Sequence, residues 1–454
     1  MSTARPAYMV LTWGCQMNED DSRQMANLLE QMGYRQASKE SDADVILLNT
    51  CSVRARPEQK VRSKLGELRL LKLEKKNLII GVCGCMAQRE GEDLLKRTPF
   101  VDIVIGTASI PELPMMIEQV RQGRGRLTAL DLPENGSNGA SHISRVIENV
   151  GLKTFVPVMY GCNNFCAYCV VPSARGPERS RLPEEIVAEV ADLVSKGCRE
   201  VTLVGQNVNS YGCLATSSKQ PAARKKQNDF AELLELLNGV EGLKRIRFMT
   251  SHPKDLSDRL IEAMAGLPKV CEHLHLPLQS GDDDVLRRMG RCYTVEHYKI
   301  LADKLRNRIP GISLTTDIMV GFPGETEEQF QNTLKTVENI RFDAAFTFNF
   351  NARPGTTAAE MDNHVDGPTK TRRLRELAAI QNEITLEKNN ADIGKIFEVL
   401  VEGPSVKDSS KMTGYTRTNK TMNFPAGTEL TGNLVSVRAK SAHPWGFIGE
   451  LVES

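Results

Sequence analysis

Three cysteines stand close together in one short loop of the sequence. Cys162, Cys166 and Cys169 are spaced C-x3-C-x2-C within the segment GCNNFCAYC, which follows an apolar run. Cysteine thiolates are the usual ligands of iron–sulfur clusters, and a four-iron cluster normally takes four of them. Three ligands would leave one iron open for a cofactor, whose sulfonium an electron from the cluster could cleave to give a carbon radical.

Two other interpretations of this loop are a zinc site and a group of buried thiols. Zinc would require a fourth Cys or His at similar spacing, and the next cysteine, Cys198, is distant in the sequence. Buried thiols do not usually cluster this closely in a loop of glycine and asparagine. The spacing therefore favours an iron–sulfur site with three protein ligands.

A second set of cysteines is dispersed through the N-terminal part of the chain. Cys15, Cys51 and Cys85 each follow one of the first three predicted strands, in VLTWGC, VILLNTC and GVCGC. The carboxyl ends of parallel strands share one edge of a sheet, so these thiols should converge and could hold another cluster with one open iron. Each could instead be an ordinary buried hydrophobe. Cys83 competes with Cys85 because it lies inside the apolar run of the same strand.

The elements that must position these cysteines follow two successive alternations of strands and helices. The first alternation predicts strands at 8–13, 44–49, 78–82 and 101–105, with helices at 18–31 and 57–76. The second predicts strands at 154–160, 200–205, 245–250, 273–278, 313–320 and 344–350, with helices such as 183–196 and 326–339. Such patterns indicate an α/β fold, in which a parallel sheet is followed by a partial or complete α/β barrel.

Changes in composition divide the chain into domains. Residues 132–150 are rich in Gly, Ser, Asn and Pro and predict a linker between an N-terminal domain, 1–131, and a barrel domain, 151–388. A polar insertion at 215–228 predicts a solvated loop. The last part, 389–454, has the size of an oligonucleotide-binding β-barrel. Its β-like runs are 396–401, 412–418, 429–438 and 446–451.

The composition as a whole limits the class of protein but identifies no partner. The 454 residues are 40% hydrophobic and 5% aromatic, which is typical of a soluble globular protein of two or three domains. A formal net charge of +1 means that any RNA affinity would depend on local patches. Without an apolar run of membrane-spanning length or a signal peptide, the expected location is cytoplasmic. There the eleven cysteines should be reduced.

The loop with three cysteines resembles that of the radical S-adenosylmethionine superfamily. Members carry C-x3-C-x-aromatic-C after the first strand of an α/β barrel. The resemblance implies that Tyr168 lies next to the adenine of S-adenosylmethionine and that Gln206 and Asn207, in VGQN, hold its methionine amino group. The resemblance implies that three further residues contact the cofactor, namely Gln279, Ser280 and Asp317. All three lie at carboxyl ends of predicted strands, where barrel enzymes place their chemistry.

The N-terminal cysteines and their neighbours resemble the methylthiotransferase family. The matching segments are GCQMN, NTCSVR and GCMAQ, and the resemblance continues along the whole chain to a C-terminal module similar to a TRAM domain. One branch of the family modifies tRNA beside the anticodon, and another modifies an aspartate of a ribosomal protein. The segments NNF, VVP, QNVNSYG and RTNK make this chain similar to the first, MiaB-type branch.

This resemblance implies an activity, cofactors and partners. The expected reaction is methylthiolation at C2 of N6-isopentenyladenosine, at position 37 of tRNA. A 4Fe–4S cluster in the C-x3-C-x2-C loop would cleave S-adenosylmethionine, and a second 4Fe–4S cluster on the N-terminal cysteines would present the sulfur. Expected partners are the tRNA anticodon stem-loop, an electron donor such as flavodoxin or ferredoxin, and iron–sulfur assembly proteins. We expect a monomer that does not engage a membrane.

The cations expected to contact RNA lie in two regions. Arg175, shortly after the cysteine loop, could contact RNA phosphate or the cofactor carboxylate, or could be a surface charge. The candidates in the C-terminal module are Lys407, Lys411, Arg417 and Lys420. Phosphate contacts require such cations, although a solvated loop is the competing interpretation and only the resemblance to an RNA-binding module favours RNA.

Three alternative functions remain open at this point. The first is the same chemistry on a ribosomal-protein aspartate or on another modified adenosine. The second is a non-catalytic iron–sulfur protein that binds RNA or serves as a scaffold. The third is a zinc protein, for which the pair His273 and His275 offers a weak signal, because no further ligand follows at a useful spacing.

Overall fold

The fold is that of a computed structural model, which describes residues 5–52, 55–133, 150–212 and 229–452. The insertion expected at 215–228 and almost all of the linker expected at 132–150 lie outside these ranges. Val53 and Arg54, at the end of the NTCSVR segment, also lie outside them. For Ala55 and Arg56 the structure describes the backbone alone.

The N-terminal part of the chain is a parallel sheet with helices on both faces. Its strands are β1 (Ala7–Trp13), β2 (Arg35–Gln36), β3 (Val45–Thr50), β4 (Ile79–Gly84), β5 (Ile103–Ile105) and β6 (Leu127–Ala129). Its helices are α1 (Gln16–Gln31), α2 (Ala55–Glu74), α3 (Cys85–Arg97) and α4 (Leu113–Arg121). The strands run in the order β2-β1-β3-β4-β5-β6. The sequence pattern missed β2 and β6, because strands of two and three residues carry too little periodicity.

Side chains of the central strands alternate between two apolar cores. On β3, Ile46 and Leu48 pack against α2 and α3, whereas Val45 and Leu47 pack against α1 and α4. This alternation follows from the two-residue period of a strand. Both β3 and β4 are buried along their whole length, as expected for parallel strands covered on both faces.

The middle of the chain forms a partial α/β barrel. Its strands are β7 (Lys153–Pro157), β8 (Met159–Tyr160), β9 (Arg179–Ser180), β10 (Glu200–Val204), β11 (Arg245–Phe248), β12 (His273–His275), β13 (Ser313–Val320) and β14 (Ala344–Asn349). The helices are α5 (Val171–Arg175), α6 (Pro183–Ser195), α7 (Phe230–Asn238), α8 (Asp258–Gly266), α9 (Asp283–Arg288), α10 (Val295–Arg308), α11 (Glu327–Ile340), α12 (Thr357–Glu360) and α13 (Gly367–Asn390).

Six of these strands form two parallel sheets of three, β11-β10-β7 and β12-β13-β14. A bridge between Ile246 and Val270 connects the two sheets. The short strands β8 and β9 pair with each other in antiparallel orientation beside the cysteine loop. The predicted α/β barrel is therefore confirmed in its partial form.

The C-terminal part is a closed five-stranded β-barrel. Its strands are β15 (Ile396–Pro404), β16 (Lys411–Thr416), β17 (Thr421–Pro425), β18 (Leu434–His443) and β19 (Gly446–Leu451), in the order β15-β16-β17-β19-β18. The sequence predicted four runs and missed β17, which directly follows Lys420. Closure removes exposed strand edges and encloses a small apolar core that includes Val399 and Phe424.

The small barrel packs against the amino-terminal ends of the strands of the partial barrel. Arg245, the first residue of β11, is fully buried and donates hydrogen bonds to Glu398 Oε1 (2.9 Å) and to the carbonyl of Tyr415 (2.7 Å). Arg247 donates to the carbonyls of Thr416 and Arg417. The carboxyl ends of the same strands, where barrel enzymes place their chemistry, therefore face away from this module. Within the described ranges, no helix is long and apolar enough to cross a membrane.

Candidate active site

The three N-terminal cysteines meet at the carboxyl ends of adjacent strands. In the register of β1, β3 and β4, Trp13 is the partner of Thr50, and Thr50 is the partner of Gly84. Each cysteine follows one of these partners within two residues. The Cys51 thiol consequently hydrogen-bonds with the thiols of both Cys15 and Cys85. The structure thus brings together the three cysteines that the sequence places at strand ends.

Two buried asparagines hold the three cysteine segments at close range. Asn49, at the end of β3, donates from Nδ2 to the Asn18 carbonyl on α1 (2.8 Å), and Asn18 Nδ2 donates to Asn49 Oδ1 (3.2 Å). Asn18 Oδ1 also accepts a hydrogen bond from the Cys15 amide (3.3 Å). A Cβ at Gly84, which has φ 87°, would lie 2.3 Å from Asn49 Oδ1. Glycine is therefore required for β4 to approach β3 this closely.

Hydrogen bonds within this set favour the thiolate, the form that ligates metals, at Cys15 and Cys85. The hydrogen bond from Cys51 lowers the pKa of Cys15 to about 5, and the positive charge of Arg175 acts in the same direction. The pKa of Cys85 is lowered by the hydrogen bond from Cys51 and then by Arg175. The pKa of Cys51 is raised well above its usual value, because its hydrogen bonds with Cys15 and with Cys85, together with its burial, favour the protonated thiol.

The C-x3-C-x2-C loop surrounds its sulfur atoms with N–H donors. The amide of Asn164 donates to Cys162 Sγ (3.4 Å), and the amide of Val171 donates to Cys169 Sγ (3.5 Å). The Arg291 guanidinium donates to the remaining sulfur of the loop, Cys166 Sγ, at 3.4 Å. Burial raises the pKa of Cys162 to about 11 and that of Cys169 to about 12. The free thiols of Cys162 and Cys169 are therefore protonated at neutral pH, and metal binding would release their protons.

Both cysteine sets line one cavity of about 440 Å³ between the N-terminal sheet and the partial barrel. The six cysteines on its wall are Cys15, Cys51, Cys85, Cys162, Cys166 and Cys169. Three thiols from each side fit two clusters whose open irons face the same space. Within the described part of the chain, no group of three or more His, Cys, Asp or Glu side chains is arranged to hold a single metal ion. An iron–sulfur cluster does not require its cysteines to converge on one point, because each cysteine binds a separate iron.

Four of the six residues expected to bind S-adenosylmethionine line this cavity, namely Tyr168, Gln206, Gln279 and Asp317. Within the described ranges, Gln206 Oε1 is buried without a hydrogen-bond partner, and the same is true of Ser251 Oγ on the cavity wall. Buried polar atoms are normally paired, so these two oxygens fit a polar ligand such as the methionine part of the cofactor. Gln279 adopts φ 69°, and Thr250, also on the wall, adopts φ 72°. Left-handed backbone at a β-branched residue is strained and is concentrated at functional sites.

The other two expected cofactor residues lie behind the cavity wall. Asn207 is buried, and its Nδ2 donates to Asp255 Oδ2 (2.7 Å). Ser280 is also buried; its hydroxyl lies 3.4 Å from Thr333 Oγ1 and accepts from the amide of Asp282 (3.3 Å). Within the described residues, Asn207 Oδ1 is buried without a partner, so contact of Asn207 and Ser280 with the cofactor remains a prediction.

The structure places the Arg175 side chain in the interior of the protein. Its guanidinium is 4% exposed and forms an ion pair with Asp21 Oδ2 at 2.6 Å. Asp21 lies on α1 of the N-terminal sheet domain, and Arg175 lines the cavity together with the N-terminal cysteines. Contact of Arg175 with RNA or with the cofactor carboxylate remains a prediction.

The four cations of the C-terminal module differ in exposure. Arg417 binds both carboxylate oxygens of Glu272 at 2.7 and 2.8 Å, across the interface with the partial barrel. Lys420 is 11% exposed and pairs with Asp392 at 3.0 Å. Lys407 is exposed, and Lys411 is partly exposed and pairs with Asp408. RNA contact therefore remains a prediction for Lys407 and Lys411, whereas Arg417 and Lys420 already bind carboxylates of the chain.

Several residues on the cavity wall were missed by sequence reasoning. Arg291 follows α9 in no recognisable motif, and only the folded chain places it beside Cys166. His252 follows β11 at a strand end, which was an available signal. Burial, followed by the charges of Arg291 and Lys254, lowers the pKa of His252 to about 2, so its imidazole is neutral. Phe346, on β14, is 49% exposed and packs edge-to-face on the His275 ring.

The pair His273 and His275 forms no metal site of its own. Both rings hydrogen-bond with Thr315 Oγ1 at 3.0 Å. His275 Nε2 also lies 3.5 Å from Asp317 Oδ2 on the cavity wall. The two histidines therefore belong to the polar interior of the partial barrel.

Comparisons with known proteins assign three parts of the chain to families. Residues 7–106 match a model described as Uncharacterized protein family UPF0004, residues 156–337 match the Radical SAM superfamily, and residues 391–452 match the TRAM domain. Membership of the Radical SAM superfamily implies a 4Fe–4S cluster and S-adenosylmethionine. Among solved structures, the radical S-adenosylmethionine methyltransferase TsrM from Kitasatospora setae has a TM-score of 0.56 at 15% identity. That match covers 78% of this chain and 75% of TsrM, and it supports the fold alone.

Three relatives that match over nearly their full length have the curated name tRNA-2-methylthio-N(6)-dimethylallyladenosine synthase. The protein from Thermoanaerobacter sp. (strain X514) is 47% identical over 98% of this chain and 93% of its own length. The protein from Moorella thermoacetica is 46% identical over the full length of both chains. The protein from Carboxydothermus hydrogenoformans is 47% identical over 99% of this chain and 100% of its own. The chain therefore belongs to the family of tRNA-2-methylthio-N(6)-dimethylallyladenosine synthases.

Proposed function

We propose that this protein methylthiolates N6-dimethylallyladenosine in tRNA at C2, at position 37 beside the anticodon. The observation that carries the proposal is the single cavity on which both sets of three cysteines lie. A base bound there would be within reach of both cysteine sets at once. The curated names of the full-length relatives support the choice of this base.

We assign one 4Fe–4S cluster and S-adenosylmethionine to the barrel cysteines, and a second 4Fe–4S cluster to the N-terminal cysteines. When bound, these groups supply the carbon radical, the sulfur atom and the methyl group of the reaction. The chain contributes three thiolates to each cluster and an N–H donor to each sulfur of the barrel loop. Gln206 and Ser251 offer unpaired oxygens to the polar groups of the cofactor, and Tyr168 borders the same space.

Phe346 is suited to hold the substrate base. Its ring is half-exposed, lines the cavity and is fixed from behind by the edge-to-face contact with His275. Stacking of a base on an exposed aromatic ring contributes about 1–3 kcal/mol to nucleic-acid binding. The proposal therefore gives Phe346 the role of orienting the adenine so that its C2 edge points toward the cysteine sets.

The remaining partners follow from this assignment and from the division of the chain. We propose an N-terminal cluster domain at 1–131, a linker at 132–150, a radical domain at 151–388 and an RNA-binding TRAM-like module at 389–454. The matched ranges support this division. The tRNA would contact the module through its exposed cations while its anticodon loop enters the cavity. A flavodoxin- or ferredoxin-type donor, iron–sulfur assembly proteins and a monomeric state complete the proposal.

The cofactor assignment is tested by metal analysis of anaerobically reconstituted protein. The parent should bind about eight irons per chain, since each of two cubes contains four. Replacing either set of three cysteines with alanine should leave about four. Zinc in place of iron, or four irons in the parent, would contradict the assignment of two clusters.

The activity is tested by mass analysis of tRNA nucleosides from a strain that lacks the gene. Methylthio-adenosine should disappear and should return when the parent, but neither set of cysteine variants, is expressed. Unchanged methylthio-adenosine together with loss of a methylthiolated ribosomal-protein aspartate would assign the enzyme to the other branch. Absence of reductive S-adenosylmethionine cleavage by protein containing eight irons would instead support a scaffold role.

A further inference from the structure

Arg175 belongs to the partial barrel in sequence but to the N-terminal cysteine site in space. It is the last residue of α5, the short helix that follows Cys169 almost directly. Helix α5 packs against α3, whose first residue is Cys85, and the carbonyl of Ala174 accepts a hydrogen bond from Thr107 Oγ1 (2.8 Å). The loop that carries the barrel cysteines thus continues into the wall of the other site.

The guanidinium of Arg175 is fixed by a carboxylate from the N-terminal domain. Asp21 lies on α1, the helix that begins directly after Cys15, and its Oδ2 accepts from Arg175 Nη2 at 2.6 Å. Both side chains are almost fully buried, at 4% and 2% exposure. A cation held in this way in a low-dielectric interior acts strongly on neighbouring charges.

Among the described residues on the cavity wall, Arg175 and Arg291 are the only arginines, and no lysine is present. Each arginine acts on a different cysteine set. Arg291 donates a hydrogen bond to Cys166 Sγ in the barrel loop, whereas Arg175 acts through its charge on Cys15 and Cys85. One guanidinium is therefore associated with each set of three thiols.

We propose that Arg175 is a positioning residue that completes the N-terminal cysteine site from the barrel domain, as the counter-charge of the cluster bound there. The inference rests on the proposed function, because it requires a cluster on the N-terminal cysteines. A cluster on three thiolates is anionic, and an unpaired buried anion is costly. Reduction adds a further negative charge, so a nearby cation raises the reduction potential of the cluster. The N-terminal site therefore has its full electrostatic environment only when the two domains are docked.

The test measures the reduction potential of the N-terminal cluster in the full chain. A background variant with Cys162, Cys166 and Cys169 replaced by alanine would carry this cluster alone, which allows an anaerobic dithionite titration followed by electron paramagnetic resonance. In this background, Arg175→Gln should make reduction at least tenfold less favourable, equivalent to about −59 mV for one electron. Arg175→Lys retains the charge and should remain near the background value.

Two further variants separate the electrostatic role from a packing role. Arg291→Gln removes an equally buried guanidinium of the same cavity, and it should leave the potential of the N-terminal cluster unchanged. Asp21→Asn removes the anion that partly offsets Arg175, and it should make reduction more favourable. A purely structural contact would not shift the potential in opposite directions in the Arg175→Gln and Asp21→Asn variants.

The possible outcomes are distinguishable from failure of the proposed function. A background variant without about four irons per chain would contradict the second cluster itself, and the role of Arg175 with it. Four irons with equal potentials in the background and Arg175→Gln variants would overturn the inference alone. If Arg175→Gln loses iron, retention of iron by Arg175→Lys supports the counter-charge role. If both variants lose iron and Asp21→Asn leaves the reduction potential unchanged, Arg175 has only a packing role.

Discussion

Glu58 is the carboxylate on which three segments around the N-terminal cysteine site converge. It accepts hydrogen bonds from Ser52 Oγ (2.6 Å), Arg89 Nη2 (2.9 Å) and Arg353 Nη1 (3.2 Å). Ser52 directly follows Cys51, Arg89 lies on α3, and Arg353 belongs to the barrel domain. This one side chain therefore ties two cysteine segments to each other and to the neighbouring domain.

Removal of Glu58 leaves two largely buried guanidinium groups without their shared anion. The side chains of Arg89 and Arg353 are only 15% and 10% exposed. Truncation of one partner of a buried ion pair costs about 3–5 kcal/mol. Arg89 keeps a second contact with Glu90 at 3.7 Å, so the lower end of this energy range applies. Glu58→Ala should therefore reduce the free energy of unfolding by about 3 kcal/mol. Glu58→Gln retains the side-chain volume and one acceptor oxygen, so it should reduce the free energy of unfolding by only roughly 1.5 kcal/mol.

The assay follows the fluorescence of Trp13 at the end of β1 during urea denaturation. The chain has two tryptophans, and replacement of the exposed Trp445 with phenylalanine makes Trp13 a reporter of the N-terminal domain. Asp93→Ala is the matched control, because its ion pair with Lys96 lies in the same domain, is largely exposed and should contribute at most about 1 kcal/mol. Equal transition midpoints for the Glu58→Ala variant and its parent, at equal slope, would refute this reasoning.

Three further predictions address the glycine contact, the competing cysteine and the RNA-binding cations. Gly84→Ala should abolish iron binding at the N-terminal site by metal analysis, because its Cβ would lie 2.3 Å from Asn49 Oδ1; retention of four irons there would contradict this. Cys83→Ala should retain all iron, since Cys83 is fully buried away from the cavity, and loss of iron would make it a ligand. Lys407→Ala should reduce the slope of log affinity for tRNA against log salt concentration by about one phosphate contact. Arg417→Ala should destabilise the chain and leave that slope unchanged, because Arg417 binds Glu272. The reverse result would exchange their roles.

Local patterns in the sequence were sufficient for the class of fold and for both cysteine sets. The alternation of apolar strands with helices predicts parallel sheets, and parallel strands end at a common edge. That rule alone brings Cys15, Cys51 and Cys85 together, and the structure places them side by side. The spacing within the barrel loop is equally local. Such features depend on neighbours in the sequence and on the geometry of strands, so no long-range contact has to be known.

The packing of β4 separates Cys83, the competing cysteine, from Cys85. Both cysteines lie near the end of one apolar run, and periodicity does not distinguish a core thiol from a ligand. In the fold, Cys83 packs with Tyr8 and Met25 in the core beneath α1, while Cys85 begins α3 at the cavity. The missed strand β17 has a similar origin, since its pairing partners come from elsewhere in the small barrel.

Only the tertiary structure showed which partners the charged residues of the site have. Arg175 and Arg417 are expected surface cations by composition, yet their partners Asp21 and Glu272 are more than a hundred residues away in the sequence. Arg291 carries no motif and still contacts a cysteine of the barrel loop. The energy of a charge depends on burial and on the nearest opposite charge, and both are set by how domains pack together. The cysteines of this protein could therefore be located from its sequence, whereas the arginines beside them could be located only from its fold.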